Sequence, residues 1–409
     1  MNQPLSASER ARGRRLAIAS HPAGMTFYMV FTQQLPTLAL VHLGASEAAV
    51  GVQTALIFGF QLLQLPVLRL VSHLPKRAIL VVGQALAVLG ALPLVFFSRL
   101  PEGDGAVAVA LLSFALVAVG LNVAQTVWFP LLRGFVEPEA VGRFFGMLRS
   151  AWHLALIVFY VAAHRWLELH PGAFGPLFLV GLLCGALRIG MVLRLPEQSE
   201  RSGAPIRVRE ALALVRDLPD LRAYLLGTIA FRAVFWSVVP FAIVMLRREV
   251  GFAADAILLT TVAWYAGGLV TLYPWGRVVD RIGPYPVFLG TSLGMGVLIL
   301  GLTLFQEPGT GALLGAAGFF FAVYALAAGF GVADTHVLFR LAPADAPARL
   351  LVVAQVTSHV LGGMLPIAVG FLLDRALEDA PNRLGVYDIF FVVAAVLQAL
   401  AFLPLRRFR

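Results

Sequence analysis

The segment GFGVADTHVLFR, residues 329–340, sets a single carboxylate, Asp334, among apolar residues. Arg188 and Arg232 stand in similar surroundings. A guanidinium in an apolar setting suits a carboxylate or phosphate, which it can hold through two parallel hydrogen bonds. A lone carboxylate there can pair with a cation or carry a proton. Two imidazoles extend this set: His153 follows Arg143 by ten residues, and His359 follows Arg349 by the same interval. They could pass protons or tie helices together. Two imidazoles with no cysteine or methionine cluster are too few for a selective metal site, so neither a metal nor a cofactor is expected. The neutral groups Gln33, Gln34, Asn122 and Gln125 add hydrogen-bonding capacity, and Phe27, Tyr28, Phe235, Trp236 and Tyr265 add rings that could narrow a cavity.

The elements that carry these residues follow from composition. Of 409 residues, 59% are hydrophobic and 13% charged, and the mean hydropathy is +0.85. Soluble domains carry about 25% charged residues. The chain therefore reads as a membrane protein, with the lipid bilayer as its medium. Apolar runs of about 20 residues, enough to cross a hydrocarbon core of about 30 Å as helix, recur at 17–41, 48–71, 78–98, 106–130, 144–164, 174–195, 222–246, 254–277, 285–305, 311–339, 349–373 and 386–405. Short connectors such as SHLPKR and FQEPGTG separate them. The expected fold is an all-α membrane protein of twelve transmembrane helices in two pseudo-symmetric six-helix bundles. Most of the 31 Lys and Arg fall in the tails and in alternate connectors. The positive-inside rule then puts both termini in the cytoplasm, and a bacterial inner membrane is the expected location. The net charge of +9 is spread over many segments and not gathered in one patch, so no nucleic-acid partner is expected. The N-terminal basic run precedes an apolar stretch without a small-residue cleavage site and reads as a retained first span. The lone Cys184 lies inside span six, which leaves no disulfide framework.

The long connector 196–221 divides the chain into an N-terminal bundle (1–195) and a C-terminal bundle (222–409). Within it, VREALALVRDL has the periodicity of an amphipathic cytoplasmic surface helix. The halves echo each other at an offset of about 208 residues: GLNVAQT at 120 answers GFGVADT at 329, and LRLVSHLPKRAIL at 68 answers GRVVDRIGPYPVF at 276. The Arg–His pairs form a third echo. Parallel repeats of this kind suit a transporter whose two halves rock about a buried site. At the repeated position, Gln125 stands in the first half where Asp334 stands in the second.

GRVVDRIGPYPVF resembles the loop that marks the major facilitator superfamily, through Gly276, Asp280, Arg281 and Gly283; Pro284 and Tyr285 replace its usual basic residues. VEPEAVGRFFG, entering span five, is similar to another of that family's connectors. The first-half loop departs from the pattern, with Leu68, Ser72, His73 and Pro75 at its key positions. The resemblance implies a gating role for the second loop, in which Asp280 could cap the start of span five. It also implies a central cavity lined by spans one, four, seven and ten, so that Arg232 and Asp334 share a wall.

Two readings of those residues stay open. In one, Arg232 and Asp334 form a fixed ion pair that locks spans seven and ten. In the other, Arg232, with Asn122, Gln125, Gln33, Tyr28 and Trp236, binds a small organic anion or zwitterion, and Asp334 is its alternating partner or a proton carrier. His153 and His359 are further proton-coupling candidates, with interhelical hydrogen bonding as the plainer role. The expected function is alternating-access secondary transport of such a solute, with protons as a possible coupling ion. An exporter of lipophilic compounds, or a transporter-like accessory protein assisting assembly of a membrane complex, are the alternatives. No phosphate-binding loop or HExxH is present, so no enzyme is expected.

Overall fold

The computed structural model describes residues 5–71, 74–100, 103–132, 134–136, 141–197, 215–341 and 347–409. The described residues form helices and no strand, as a bilayer requires of a chain that must satisfy every backbone group internally. In order they are α1 (Ala7–Thr32), α2 (Gln34–His42), α3 (Glu47–Gly59), α4 (Gln64–Val71), α5 (Lys76–Val95), α6 (Asp104–Leu132), α7 (Val141–Leu169), α8 (Gly175–Val192), α9 (Pro219–Arg248), α10 (Ala254–Ile282), α11 (Pro284–Leu300), α12 (Thr310–Leu341), α13 (Pro347–Gly363), α14 (Leu365–Leu377) and α15 (Arg383–Leu400). Among the described residues, eleven helical segments are long and apolar enough to cross a membrane. The remaining expected span is the α1–α2 pair, whose first turns are rich in charge. The protein is an integral, multi-pass membrane protein. Most of the expected surface helix in the 196–221 connector lies outside the described residues, as do Ser72 and His73 and the side chains of Arg143 and Arg349.

Three expected spans are interrupted. Span one breaks at Gln33, whose backbone leaves helical geometry (φ −114°, ψ −138°). Span two passes through a 3₁₀ turn at Phe60–Leu63. Span eleven breaks at Met364, just before Pro366, where a proline cannot donate to the preceding turn. Near the N-terminus, Ser6 Oγ accepts from the Glu9 amide (3.3 Å) and the Glu9 carboxylate accepts from the Ser6 amide (2.8 Å). This capping box starts α1 and holds the Glu9 carboxyl below the usual carboxylate range, chiefly through the backbone hydrogen bond.

The chain forms two compact units: residues 1–44 with 60–205, and residues 45–59 with 206–409. Each has the same internal plan. In the first unit α1 packs on α7 and α8, while α5 packs on α6 and α8. In the second, α9 packs on α13 and α15, and α11 packs on α12 and α15. Those are the same neighbours, read by order within the half, which is the duplication that the sequence echoes announce.

Close backbone approach explains why glycines punctuate these seams. A Cβ on Gly83 would stand 2.6 Å from the Ala124 nitrogen, and one on Gly120 would overlap the backbone of α5 at Ala87. In lipid, where apolar burial distinguishes poorly between protein and solvent, such contacts drive association. The same device holds α3 in the second unit: Cβ atoms on Gly51 or Gly370 would meet the backbone of Pro366 or Glu47. Charge completes that seam. Asp374 Oδ1 and Oδ2 accept from the first amides of α3, Glu47 (2.7 Å) and Ala48 (2.9 Å), where a helix start favours negative charge. Glu47 in turn accepts from Arg248 (2.8 Å) and from the Tyr387 hydroxyl (3.0 Å). Residues 45–59 are thus tied to α9, α14 and α15 by their own first turn.

These glycines are not equivalent. Gly120→Leu should cost about 1–3 kcal/mol through overpacking and lower the thermal midpoint of the detergent-purified protein. Gly276→Ala, with nothing within 4 Å of the new methyl, should leave the midpoint unchanged or slightly raised.

Candidate functional site

The second unit gathers its internal polar side chains at one point. Arg232 lies at the middle of α9, about 20 Å along it from Pro219 at 1.5 Å per residue. Its Nη2 donates to Asp334 Oδ2 on α12 at 2.8 Å. Asp334 lies seven residues before the end of α12, so its other oxygen points toward the start of α9, where the Tyr224 hydroxyl donates to Oδ1 at 2.5 Å. Arg232 Nη1 donates to His359 Nε2 on α13. That bond requires an imidazole lone pair at Nε2. His359 supplies it because its Nδ1–H donates to the Gln355 carbonyl four residues back, at 2.8 Å, which fixes the tautomer. One guanidinium therefore spans three helices, with a carboxylate on one branch and a neutral imidazole on the other.

Local sequence makes this possible. Gly362, one turn after His359, leaves room for Arg232: a Cβ there would lie 2.7 Å from the Arg232 Cβ. Beside the pair, Phe231 and Phe330 stack with centroids 3.6 Å apart and close α9 on α12. Thr228 Oγ1 donates to the Tyr224 carbonyl (2.9 Å) and leaves no hydroxyl loose on that face. The rings of Trp236 and Phe58 lie 4.8 Å apart, and Phe58 is parallel to His359 at 6.5 Å. Trp236 thus joins the cluster through a ring contributed by α3. Asp334 is 7% exposed, and Arg232 and His359 are half-buried.

Asp334, Arg232, His359 and Trp236 are brought together, while the remaining candidates are elsewhere. His153 is buried in the first unit and bonds through Nδ1 to the Arg149 carbonyl at 2.7 Å. This repeats the local geometry of His359 and extends the sequence echo to hydrogen bonding. Asn122 is buried: its Oδ1 accepts from Gln64 on α4 (3.2 Å) and its Nδ2 donates to the Ala118 carbonyl (2.9 Å). Gln125 is half-buried one turn later, and Tyr28 is half-buried on α1. Gln33 sits at the α1–α2 break, its amide bonded to the Met29 carbonyl. Phe27 and Tyr265 are fully buried within their own units, so they pack helices and narrow no opening.

The loop residues end α10. Gly283 has φ +79°, a conformation that needs glycine, and Asp280 and Arg281 are exposed. The start of α7, which Asp280 was expected to cap, falls among side chains outside the described residues. The loop is joined to the other motif by Trp275, whose indole donates to the Ala325 carbonyl (2.7 Å) and whose ring fills the space that Gly329 leaves open.

Sequence reasoning missed Tyr224 and Phe58. Tyr224 had a signal, being two helical turns before Arg232 and the same side as Thr228. Phe58 had none, because its approach depends on where α3 packs.

The sequence profile described as Major Facilitator Superfamily matches residues 16–367. No curated protein sequence matches the chain. The fold is similar to the crystal structure of the nucleoside transporter NupG, at TM-score 0.71 and 12% identity, covering 98% of this chain and all of that one. It is also similar to a bacterial homologue of the human lysosomal transporter Spinster, solved inward-facing and unoccupied, at TM-score 0.70 and 14% identity, over 99% and 98% of the two chains.

Removing Asp334 alone leaves a buried guanidinium without its counter-ion, a loss of about 3–5 kcal/mol. Asp334→Ala should therefore unfold at a markedly lower temperature, and Arg232→Ala in the same chain should recover part of that loss. Tyr224→Phe removes one bond to a charged acceptor and should cost about 1.5–3 kcal/mol.

Proposed function

Because the chain belongs to the Major Facilitator Superfamily, a family of secondary transporters, we propose that it moves a small organic anion or zwitterion by alternating access, with Arg232 as the group that holds the solute's negative charge. The observation that carries this reading is the pairing of Arg232 with two exchangeable partners, Asp334 and His359, at the middle of a spanning helix. A guanidinium in hydrocarbon must always have a partner. An arriving carboxylate or phosphate can take the place of Asp334 without leaving the arginine bare.

Asp334 then does one of two things as the solute binds. It keeps its charge and turns to the Tyr224 hydroxyl, or it takes up a proton. In the second case the proton and the anionic solute enter the site together, since each removes one end of the Arg232–Asp334 pair. That is the simplest coupling rule this cluster supports: protonation of Asp334 frees Arg232, and solute binding to Arg232 favours protonation of Asp334 by linkage. His359 offers only a lone pair to Arg232 in the tautomer fixed by Gln355, so its part is to hold the guanidinium and not to relay the proton.

Trp236 and Phe58 provide ring surface beside the anion end. The loop residues Gly276, Asp280, Arg281 and Gly283 serve the gating movement, with Trp275 transmitting it to α12 through Gly329 and Ala325. The chain sits in a cytoplasmic membrane with both termini inside. By repeat, its proposed domains are the bundles 1–195 and 222–409, joined by the 196–221 linker, although residues 45–59 of the first repeat pack in the second compact unit.

Counterflow in reconstituted vesicles, with labelled carboxylates, amino acids and nucleosides as trial solutes, tests this directly. Arg232→Ala should weaken binding of the transported anion by about 2–5 kcal/mol, thirtyfold or more. Asp334→Asn should abolish pH-driven accumulation and retain counterflow. Unchanged affinity in the first variant points to a lipophilic solute, an unchanged pH response in the second removes Asp334 from coupling, and absence of counterflow with every solute favours an accessory role.

A further inference from the structure

Arg188 presents the opposite situation to Arg232. It lies on α8 in the first unit, is 6% exposed, and among the described residues has no carboxylate partner. Its Nη1 donates weakly to Gln84 Oε1 on α5, at 3.4 Å, and the Trp128 ring on α6 covers the guanidinium face at 4.9 Å. Trp128 is itself stacked parallel to His21 on α1, with centroids 5.7 Å apart. Gly24, one turn after His21, makes the space: a Cβ there would overlap the guanidinium. Four helices thus close around one positive charge.

The cation–π contact satisfies the face of a guanidinium but none of its edge donors. Among these side chains, three buried nitrogens have no hydrogen-bond partner: Arg188 Nε, Gln84 Nε2 and His21 Nδ1. The first two are donors, and the third is a donor in one tautomer. Buried donors left unpaired are costly, and a buried charge without a counter-ion more so.

The second unit supplies a comparison. At the positions answering Gln84 and Arg188, offset by about 208–210 residues, stand Ser292 and Gln398. Both are fully buried and neutral. Ser292 Oγ and Gln398 Nε2 and Oε1 likewise have no hydrogen-bond partner, so what sets the first unit apart is the full charge it has put there.

We propose that Arg188, Gln84 and His21 form a site for a small inorganic anion of chloride size within the first unit. The ligand is small because Gly24, Trp128 and Gln84 pack against the guanidinium and leave no cleft for an organic group. The site is separate from the Arg232 cluster and does not rest on the transport reading. Bound anion neutralises Arg188 and ties α1, α5 and α8 together, so chloride acts as a structural ligand of this unit.

The test uses the full-length protein in detergent, with chloride replacing gluconate at constant ionic strength, read by thermal unfolding and by equilibrium binding of radioactive chloride. Wild type should show a saturable rise in unfolding temperature and saturable binding. Arg188→Met should show neither. Gln84→Leu, which keeps the arginine, should raise the half-saturating chloride concentration about tenfold, as the loss of one hydrogen bond implies. The proposal is overturned by absence of saturable binding to wild type, by an unchanged chloride response in Gln84→Leu, or by acetate protecting as well as chloride at equal concentration.

Discussion

A charge inside hydrocarbon must be answered within the protein, and the internal organisation of each unit follows from how that is done. Arg232 is answered by Asp334 and His359 from two other helices, and the geometry of α9, α12 and α13 is adjusted to permit it. Gly362 is cleared away and Phe231 stacks on Phe330, while Gln355 pins the imidazole tautomer. Pairing in a low dielectric is strong, but its net contribution to stability is limited by the cost of removing both ions from water. In the function proposed above, the value of such a pair lies in its being exchangeable. A transporter needs a site whose internal partners can be replaced by a solute at little net cost.

The two units show one plan with different occupants. Their helices take the same neighbours, and His153 and His359 make the same bond to the carbonyl four residues before. At the position answering Arg232, offset by about 208 residues, the first unit has Gly24, and the guanidinium of Arg188 occupies the space so left. The charge has in effect been moved from the first helix of the repeat to the sixth. Duplication preserves backbone packing, which depends on glycines and small side chains, more readily than it preserves the polar groups, which single substitutions can relocate.

Helix interruptions matter as much as the polar groups. The break at Gln33 is followed by Pro36 in α2, the one at Met364 stands two residues before Pro366 in α14, and a 3₁₀ turn at Phe60–Leu63 interrupts span two. The last of these falls where the chain passes from one compact unit to the other. The first half of that helix is capped by Asp374 and clamped through Glu47 to Arg248 and Tyr387, while its second half is counted with the other unit. The clamp adds hydrogen-bonded charges to the close backbone packing at Gly51 and Gly370.

The sequence by itself determined the medium, the number of crossings, the duplication and the family, because each rests on properties that add along the chain: apolar run length, charge spacing and a local loop signature in which Gly283 must adopt a positive φ. It also marked Arg188, Arg232 and Asp334 as the residues needing partners, since a charge in an apolar run is conspicuous wherever its helix packs. Which partners they took was decided only by the tertiary structure. Tyr224 reaches Asp334, and Phe58 reaches His359 and Trp236, because helix rotation and crossing bring them within a few ångströms. Those rotations are fixed by close contacts at glycines such as Gly51, Gly329 and Gly362. A glycine in sequence shows that something can approach, but what approaches depends on the whole packed unit.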